Sequence, residues 1–187
     1  MYRFWVILVL LLLLSTFYGQ MTSSLARQTA VGLAIGQPAP DFSLPYATKD
    51  SITRVPIRLS ETIGKKNIIL AFYPAAWSPG CTKEVCAMRD DFAGLESLKG
   101  DILAISGDYT WSHHAWAKHH DLPFRLLSDH SHEVAKAYSS YNEKTMFNRR
   151  TIFVIDRQGK IAYTDLEYSV ATIDDYNRLK EALAQIR

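Results

Sequence analysis

The chain has two cysteines, Cys81 and Cys86, and both fall at one junction between an apolar run and an amphipathic one. The run Ile68-Ile69-Leu70-Ala71-Phe72-Tyr73 predicts a buried strand. Past the cysteines, Val85, Met88, Phe92 and Leu95 recur at helical spacing. At the junction Ser78 is placed as an N-cap and Pro79 as the first helical residue, where a missing N–H costs nothing. Cys81 then lies in the first helical turn. Unpaired amides and the positive end of the helix dipole favour a thiolate over a thiol there. The junction therefore predicts a reactive cysteine, and the strands that alternate with helices along the rest of the chain and end in a hairpin predict an α/β domain with a mixed sheet.

Pro74-x-x-x-Ser78-x-x-Cys81 resembles the active-site signature of peroxiredoxins of the AhpC/TSA superfamily, thiol peroxidases on a thioredoxin fold. Pro79-Gly80-Cys81-Thr82, the second cysteine Cys86, and Arg89-Asp90 resemble the bacterioferritin-comigratory-protein, or peroxiredoxin Q, branch. So do Ser106-Gly107-Asp108, Ser112-His113, Lys118-His119, Leu122-Pro123-Phe124, Leu127-Ser128-Asp129 and the block Arg150-Thr151-Ile152-Phe153-Val154-Ile155-Asp156-x-x-Gly159-Lys160. The resemblance runs from about Gly36 to near the C-terminus. Trp77 departs from it, standing where a smaller or polar residue is expected, and this bears on the shape of the peroxide mouth.

The resemblance implies a thioredoxin-like fold, with a mixed central sheet flanked by helices and an N-terminal hairpin extension. It makes Cys81 the peroxidatic cysteine and Cys86 the resolving one, joined in an intramolecular disulfide after peroxide reduction. Ser78 stands where the family's hydroxyl contacts peroxide and thiolate. Arg150 stands where an arginine favours the thiolate and orients the peroxide, Pro74 shields the site, and Glu84 holds the arginine. These roles suit the chemistry, because a thiolate is the nucleophile and the departing oxygen needs donors. The implied partners are hydrogen peroxide or an organic hydroperoxide and a thioredoxin-like or other thiol reductant. The chain is expected to act as a monomer, without cofactor or metal.

Other readings stay open on the residues alone. Cys81 and Cys86 suit a structural disulfide in an exported protein. Six histidines, His113, His114, His119, His120, His130 and His132, with two cysteines suit copper or zinc. Exported copper-delivery proteins share the thioredoxin fold, but three residues separate their cysteines, whereas four intervene here. His113 and His120 fall on a helix read as surface-facing. A thiol–disulfide oxidoreductase is a third reading, weakened by the lack of Cys-x-x-Cys. Arg89-Asp90 is read as a structural ion pair.

The net charge of +2, with no basic stripe, argues against a nucleic-acid partner. Arg3 followed by Phe4-Trp5-Val6-Ile7-Leu8-Val9 and five leucines resembles the charged and apolar regions of a signal peptide. The run is shorter than the roughly 20 apolar residues of a comfortable membrane span. Residues 1–26 are expected to be a signal peptide or membrane anchor, 27–35 a linker and 36–187 the folded domain, exported from the cytoplasm.

Along the domain, residues 41–44 and 55–59 are expected as short strands of a hairpin laid on the main sheet, and 60–64 as a helical turn stopped by Gly64. Strands are expected at 102–106, 124–127, 151–155 and 161–165, the last two as a hairpin around the turn 156–159. Helices are expected at 111–120 and 133–138, the latter with Val134, Ala137 and Tyr138 on one face. Gly94 is placed inside the cysteine helix and Gly100 at its end. A last helix is capped near Thr172, with Tyr176, Leu179, Leu183 and Ile186 as its stripe.

Overall fold

The computed structural model describes residues 33–53 and 55–186. The expected leader and most of the linker lie outside these residues. A six-stranded sheet forms the centre, built from β2 (Tyr46–Ala47), β4 (Asn67–Phe72), β5 (Gly100–Ser106), β6 (Arg125–Ser128), β9 (Thr151–Ile155) and β10 (Ile161–Asp165). Its order is β10-β9-β4-β5-β6-β2. The pairs β4–β5 and β5–β6 are parallel, while β9 runs antiparallel to β4.

The apolar run that opened the sequence reading is the central strand β4, buried at every position. Successive side chains of a strand point to opposite faces, so a strand covered on both sides has no polar alternation. Ile69, Ala71 and Tyr73 enter one core, with Val85, Met88, Leu95, Trp116, Leu179 and Leu183. Ile68, Leu70 and Phe72 enter the other, with Phe42, Leu44, Leu59 and Tyr138. The helices that supply the first core are α2 (Pro79–Asp90), α3 (Phe92–Ser97), α4 (Thr110–His120) and α6 (Asp174–Gln185). The second core is covered by α1 (Leu59–Thr62), α5 (Glu133–Ala137) and the small hairpin of β1 (Ser43–Leu44) and β3 (Ile57–Arg58). A further two-stranded ribbon pairs β7 (Tyr141–Asn142) with β8 (Phe147–Asn148).

Several boundaries differ from the sequence reading. The cysteine helix does not run on to Gly100; it ends at Asp90, and α3 restarts at Phe92. Asp91 between them accepts hydrogen bonds from Tyr176 Oη at 3.2 Å and Lys180 Nζ at 2.6 Å, which tie the break to α6. Gly94 follows from this, since a Cβ there would stand 2.2 Å from Asp91 Oδ1. The segment ends at Lys99, which takes φ 62, and Gly100 already opens β5.

Tyr46 and Ala47 join the main sheet beside β6, although a two-residue strand leaves no period to read. On α5 the buried positions are Val134 and Ala135, with Ala137 exposed. Thr172 does not cap α6, whose N-cap position is Ile173. Asp175 instead turns its Oδ2 back to accept from Ser169 N at 2.6 Å.

Candidate active site

Antiparallel pairing of β9 with β4 sets Phe72 opposite Thr151. The residue that precedes β9, Arg150, therefore stands at the end of β4 from which the cysteine loop departs. The chain leaves Phe72 and crosses the loop 73–78. It enters α2 with Ser78 at the N-cap position and Pro79 at the first helical one. Cys81 is fully buried in the first turn. Arg150 Nη2 donates to Cys81 Sγ at 3.4 Å.

One turn on, the buried Glu84 carboxylate accepts from Arg150 Nη1 through Oε2. Burial pushes the Glu84 carboxyl up to about 7, against the opposing pull of the Arg150 charge. Burial works to lower Arg150 too, but the Glu84 carboxylate and the Cys81 sulfur outweigh it and hold the guanidinium above its ordinary value. Gly80 makes room for this arrangement, because a Cβ on it would lie 3.2 Å from Arg150 Nη2.

Ser78 takes the N-cap position by its backbone, its carbonyl accepting from Thr82 N at 2.9 Å. Its side chain makes no cap hydrogen bond; the hydroxyl donates to Ala75 O at 3.0 Å and pins the loop. Pro74 is half-buried at the start of that loop. Trp77 is half exposed and takes φ 65, the left-handed region that favours glycine. Contacts of the side chain offset the strain. Trp77 Nε1 donates to Ser112 Oγ at 3.2 Å, and its ring centroid lies 5.6 Å from that of His119 and 6.3 Å from that of His120.

A polar group lies under the loop, where the sequence spacing gives no sign of it. Asp108 Oδ2 accepts from Ala76 N and from Ser106 Oγ, each at 2.8 Å. His113 Nε2 lies 2.8 Å from Ser106 Oγ and 2.9 Å from Tyr73 Oη. The reading of His113 as a surface histidine is thus corrected. It is fully buried, and burial drops its imidazole to about 4, so it is neutral at pH 7. The motifs Ser106-Gly107-Asp108 and Ser112-His113 flagged these residues, but nothing in their spacing shows that they meet under the loop. Among the described residues no group of three His, Cys, Asp or Glu side chains is placed to hold a metal ion.

Cys86 lies half-buried on the α4 side of α2, with its sulfur 3.9 Å from His120 Nδ1. Both cysteines are free thiols. Arg89 pairs with Asp90 as expected, and its Nη1 also donates to His120 O at 2.8 Å, joining α2 to the end of α4. Chemically, the site offers a buried sulfur nucleophile at a helix N-terminus, a fixed cation beside it and a second thiol one and a half turns away.

The pattern of the AhpC/TSA family matches residues 35–164. The chain is 36% identical over 143 residues to the chloroplastic peroxiredoxin Q of Sedum lineare, covering 74% of this chain and 75% of that one. It is 34% identical over 135 residues to the peroxiredoxin Bcp of Bacillus subtilis, covering 69% and 82% respectively. The crystal structure of the peroxidoxin BcpB of Mycobacterium tuberculosis superposes with a TM-score of 0.72 at 29% identity, covering 83% of this chain and 99% of that one. A buried cysteine opening a helix beside a fixed arginine, on a fold and sequence shared with these proteins, makes this chain a member of the AhpC/TSA family, a thiol-dependent peroxidase of the peroxiredoxin Bcp and Q type with a thioredoxin fold.

Proposed function

We propose that the chain reduces hydrogen peroxide and organic hydroperoxides through a sulfenic acid on Cys81, which Cys86 then resolves to an intramolecular disulfide. The observation that carries the reading is the Arg150 guanidinium beside the Cys81 sulfur, held by a carboxylate that has no other charged partner within its ion-pair reach among the described residues. The Cys81 thiolate attacks the nearer peroxide oxygen, an S–O bond forms as the O–O bond breaks, and the departing oxygen takes from solvent the proton that the thiol gave up on ionising and leaves as water or an alcohol. Arg150 stabilises charge on the oxygens as that bond breaks. Ser78 and Pro74 shape the loop over the sulfur. Glu84 keeps Arg150 in place.

Resolution requires a change of shape. Positions five apart on an α-helix differ by about 7.5 Å of rise and about 140° of rotation. Cysteines with Cα atoms more than about 7 Å apart cannot be bridged without backbone movement. The first turns of α2 therefore unwind before Cys86 attacks the Cys81 sulfur and releases water. Val85 and Met88, both buried in the core beneath, resist that step, so opening limits resolution.

A thioredoxin-like or other dithiol then reduces the disulfide. In the same reading the N-terminal segment directs export or anchors the protein at a membrane, and the domain acts as a monomer. The deciding experiment is peroxide consumption by the domain from Gly36 onward with several thiol donors. Rapid turnover that Cys81→Ser abolishes supports the reading. Stoichiometric copper binding without peroxide consumption favours the delivery protein instead.

A further inference from the structure

The two thiols of this site have different neighbours. Cys81 faces Arg150, whereas Cys86 faces an imidazole: its sulfur is 3.9 Å from His120 Nδ1, within reach of a sulfur hydrogen bond. We propose that His120 is the general base of the resolving step, taking the proton from the Cys86 thiol so that a thiolate attacks the Cys81 sulfenic acid. The inference rests on the reading of Cys86 as the resolving cysteine.

The geometry keeps the pair together while the helix opens. Arg89 Nη1 donates to His120 O at 2.8 Å, which fastens the second half of α2 to the end of α4. Unwinding confined to the turns before Cys86 moves Cys81 toward a Cys86 that stays beside its base. The ring itself is well placed. His119 at 4.6 Å and Trp116 at 6.1 Å stand edge-on to it, and the tilted Trp77 ring lies at 6.3 Å, between centroids. The groups facing it are Cys86 and Arg89 from α2 and His119 from its own helix. Asp121, next in the chain, is drawn off by Lys49 at 2.7 Å. Burial, with the charges of His119 and Arg89, holds the His120 imidazole below its ordinary value. It is therefore neutral at pH 7 and able to accept a proton.

The step balances without a further reagent. His120 Nδ1 takes the proton of the Cys86 thiol. The Cys86 sulfur forms the S–S bond as the S–O bond of the sulfenic acid breaks. The electron pair of that bond leaves with hydroxide, which takes the proton from His120 and departs as water. The electrons come from Cys86, and Cys81 is the group reduced.

The test mixes the reduced full chain with one equivalent of hydrogen peroxide and follows disulfide formation by rapid quench and mass spectrometry from pH 6 to pH 9. Wild type, His120→Ala, His120→Gln and Cys86→Ser are compared. Loss of a general base costs about 10²-fold or more. At pH 7 both His120 variants are expected to form the disulfide about 10²-fold more slowly, so that sulfenic acid accumulates. The deficit is expected to shrink as the pH approaches the range where an ordinary thiol ionises unaided. Added imidazole is expected to speed His120→Ala. His120→Gln keeps a hydrogen-bond acceptor but cannot carry the proton, so its slowness separates proton transfer from positioning. Resolution at the wild-type rate, or a deficit equal at every pH and untouched by imidazole, overturns the proposal. A wild type that, like Cys86→Ser, forms no intramolecular disulfide overturns the resolving role of Cys86 itself, a result distinct from either of these.

Discussion

Arg150 touches the Cys81 sulfur at 3.4 Å through one amino nitrogen while its other is held by Glu84, so the cation cannot shift toward either without leaving the other. Arg149 takes no part in this arrangement. Its backbone N–H donates to Ser140 O, and its side chain is exposed. Removing one such donor from a reacting centre typically costs about 10²–10³ in rate. Arg150→Ala is expected to slow the second-order reaction of Cys81 with peroxide by that factor in stopped-flow measurements, and Arg149→Ala by less than about twofold. A crippled Arg149→Ala beside a mild Arg150→Ala would overturn the assignment.

Gly80 allows a finer test of the same contact. A methyl group there meets Arg150 Nη2 at 3.2 Å and pushes it by a few tenths of an ångström, against the hold of Glu84. Small misplacements of a catalytic group are costly, a full ångström costing about 10²-fold. Gly80→Ala is expected to lower the peroxide rate about tenfold with the helix content by circular dichroism preserved. An unchanged rate would show that the guanidinium gives way freely.

Two of the buried titrating groups, Glu84 and His113, predict opposite slopes of stability with pH. Burial raises Glu84 from its ordinary 4.5 to about 7, so the native state holds the extra proton between those values. The stability this contributes is full below 4.5 and lost as the pH rises through about 7. His113 is depressed from 6.5 to about 4, so its contribution is full above 6.5 and lost as the pH falls through about 4. Wild type is expected to show a shallow profile in urea unfolding over this window. Glu84→Gln leaves the His113 slope, and stability then climbs from pH 4 to pH 6.5. His113→Asn leaves the Glu84 slope, and stability then declines toward pH 7. Each difference is on the order of a few kcal/mol. Variants whose slopes match the wild type would overturn the burial argument.

The proposed opening of α2 is tested by hydrogen exchange. The disulfide is expected to remove protection from amides between Cys81 and Arg89, while the Asp91 amide, bonded to Ala87 O at 3.2 Å, keeps most of its own. Cys86→Ser is expected to reduce one equivalent of peroxide, then to over-oxidise without this loss of protection. Equal exchange in both proteins after oxidation would count against unwinding.

The export reading is tested without the domain's chemistry. A fusion of residues 1–35 to a reporter active only outside the cytoplasm is expected to give signal. A reporter confined to the cytosol would sink it.

Much of the site was legible because its parts are local. The strand, Pro79 and Cys81 fall within a short stretch, where periodicity and capping rules apply directly. The placing of Arg150 and Glu84 came from resemblance, since nothing in the spacing of two residues 66 apart says that they meet. The Tyr73, Ser106 and His113 group stayed hidden for the same reason. His113 also sits in the run Trp111-Ser112-His113-His114, whose polarity points to solvent while the fold turns one of its four residues inward. The break at Asp91 leaves no local mark because the residues that bond it, Tyr176 and Lys180, come from the far end of the chain.

The register that sets Phe72 against Thr151 has a consequence for how the protein matures. Cys81 and Arg150 stand 69 residues apart, and the long-range pairing of β9 with β4 brings the cation to the sulfur. During synthesis the cysteine emerges well before its arginine. A nascent chain, or one still unfolded, therefore has no guanidinium beside this cysteine. If Arg150 governs the reaction of Cys81 with peroxide as proposed, the rate of that reaction during refolding is expected to rise only as the sheet closes, and so to report complete folding.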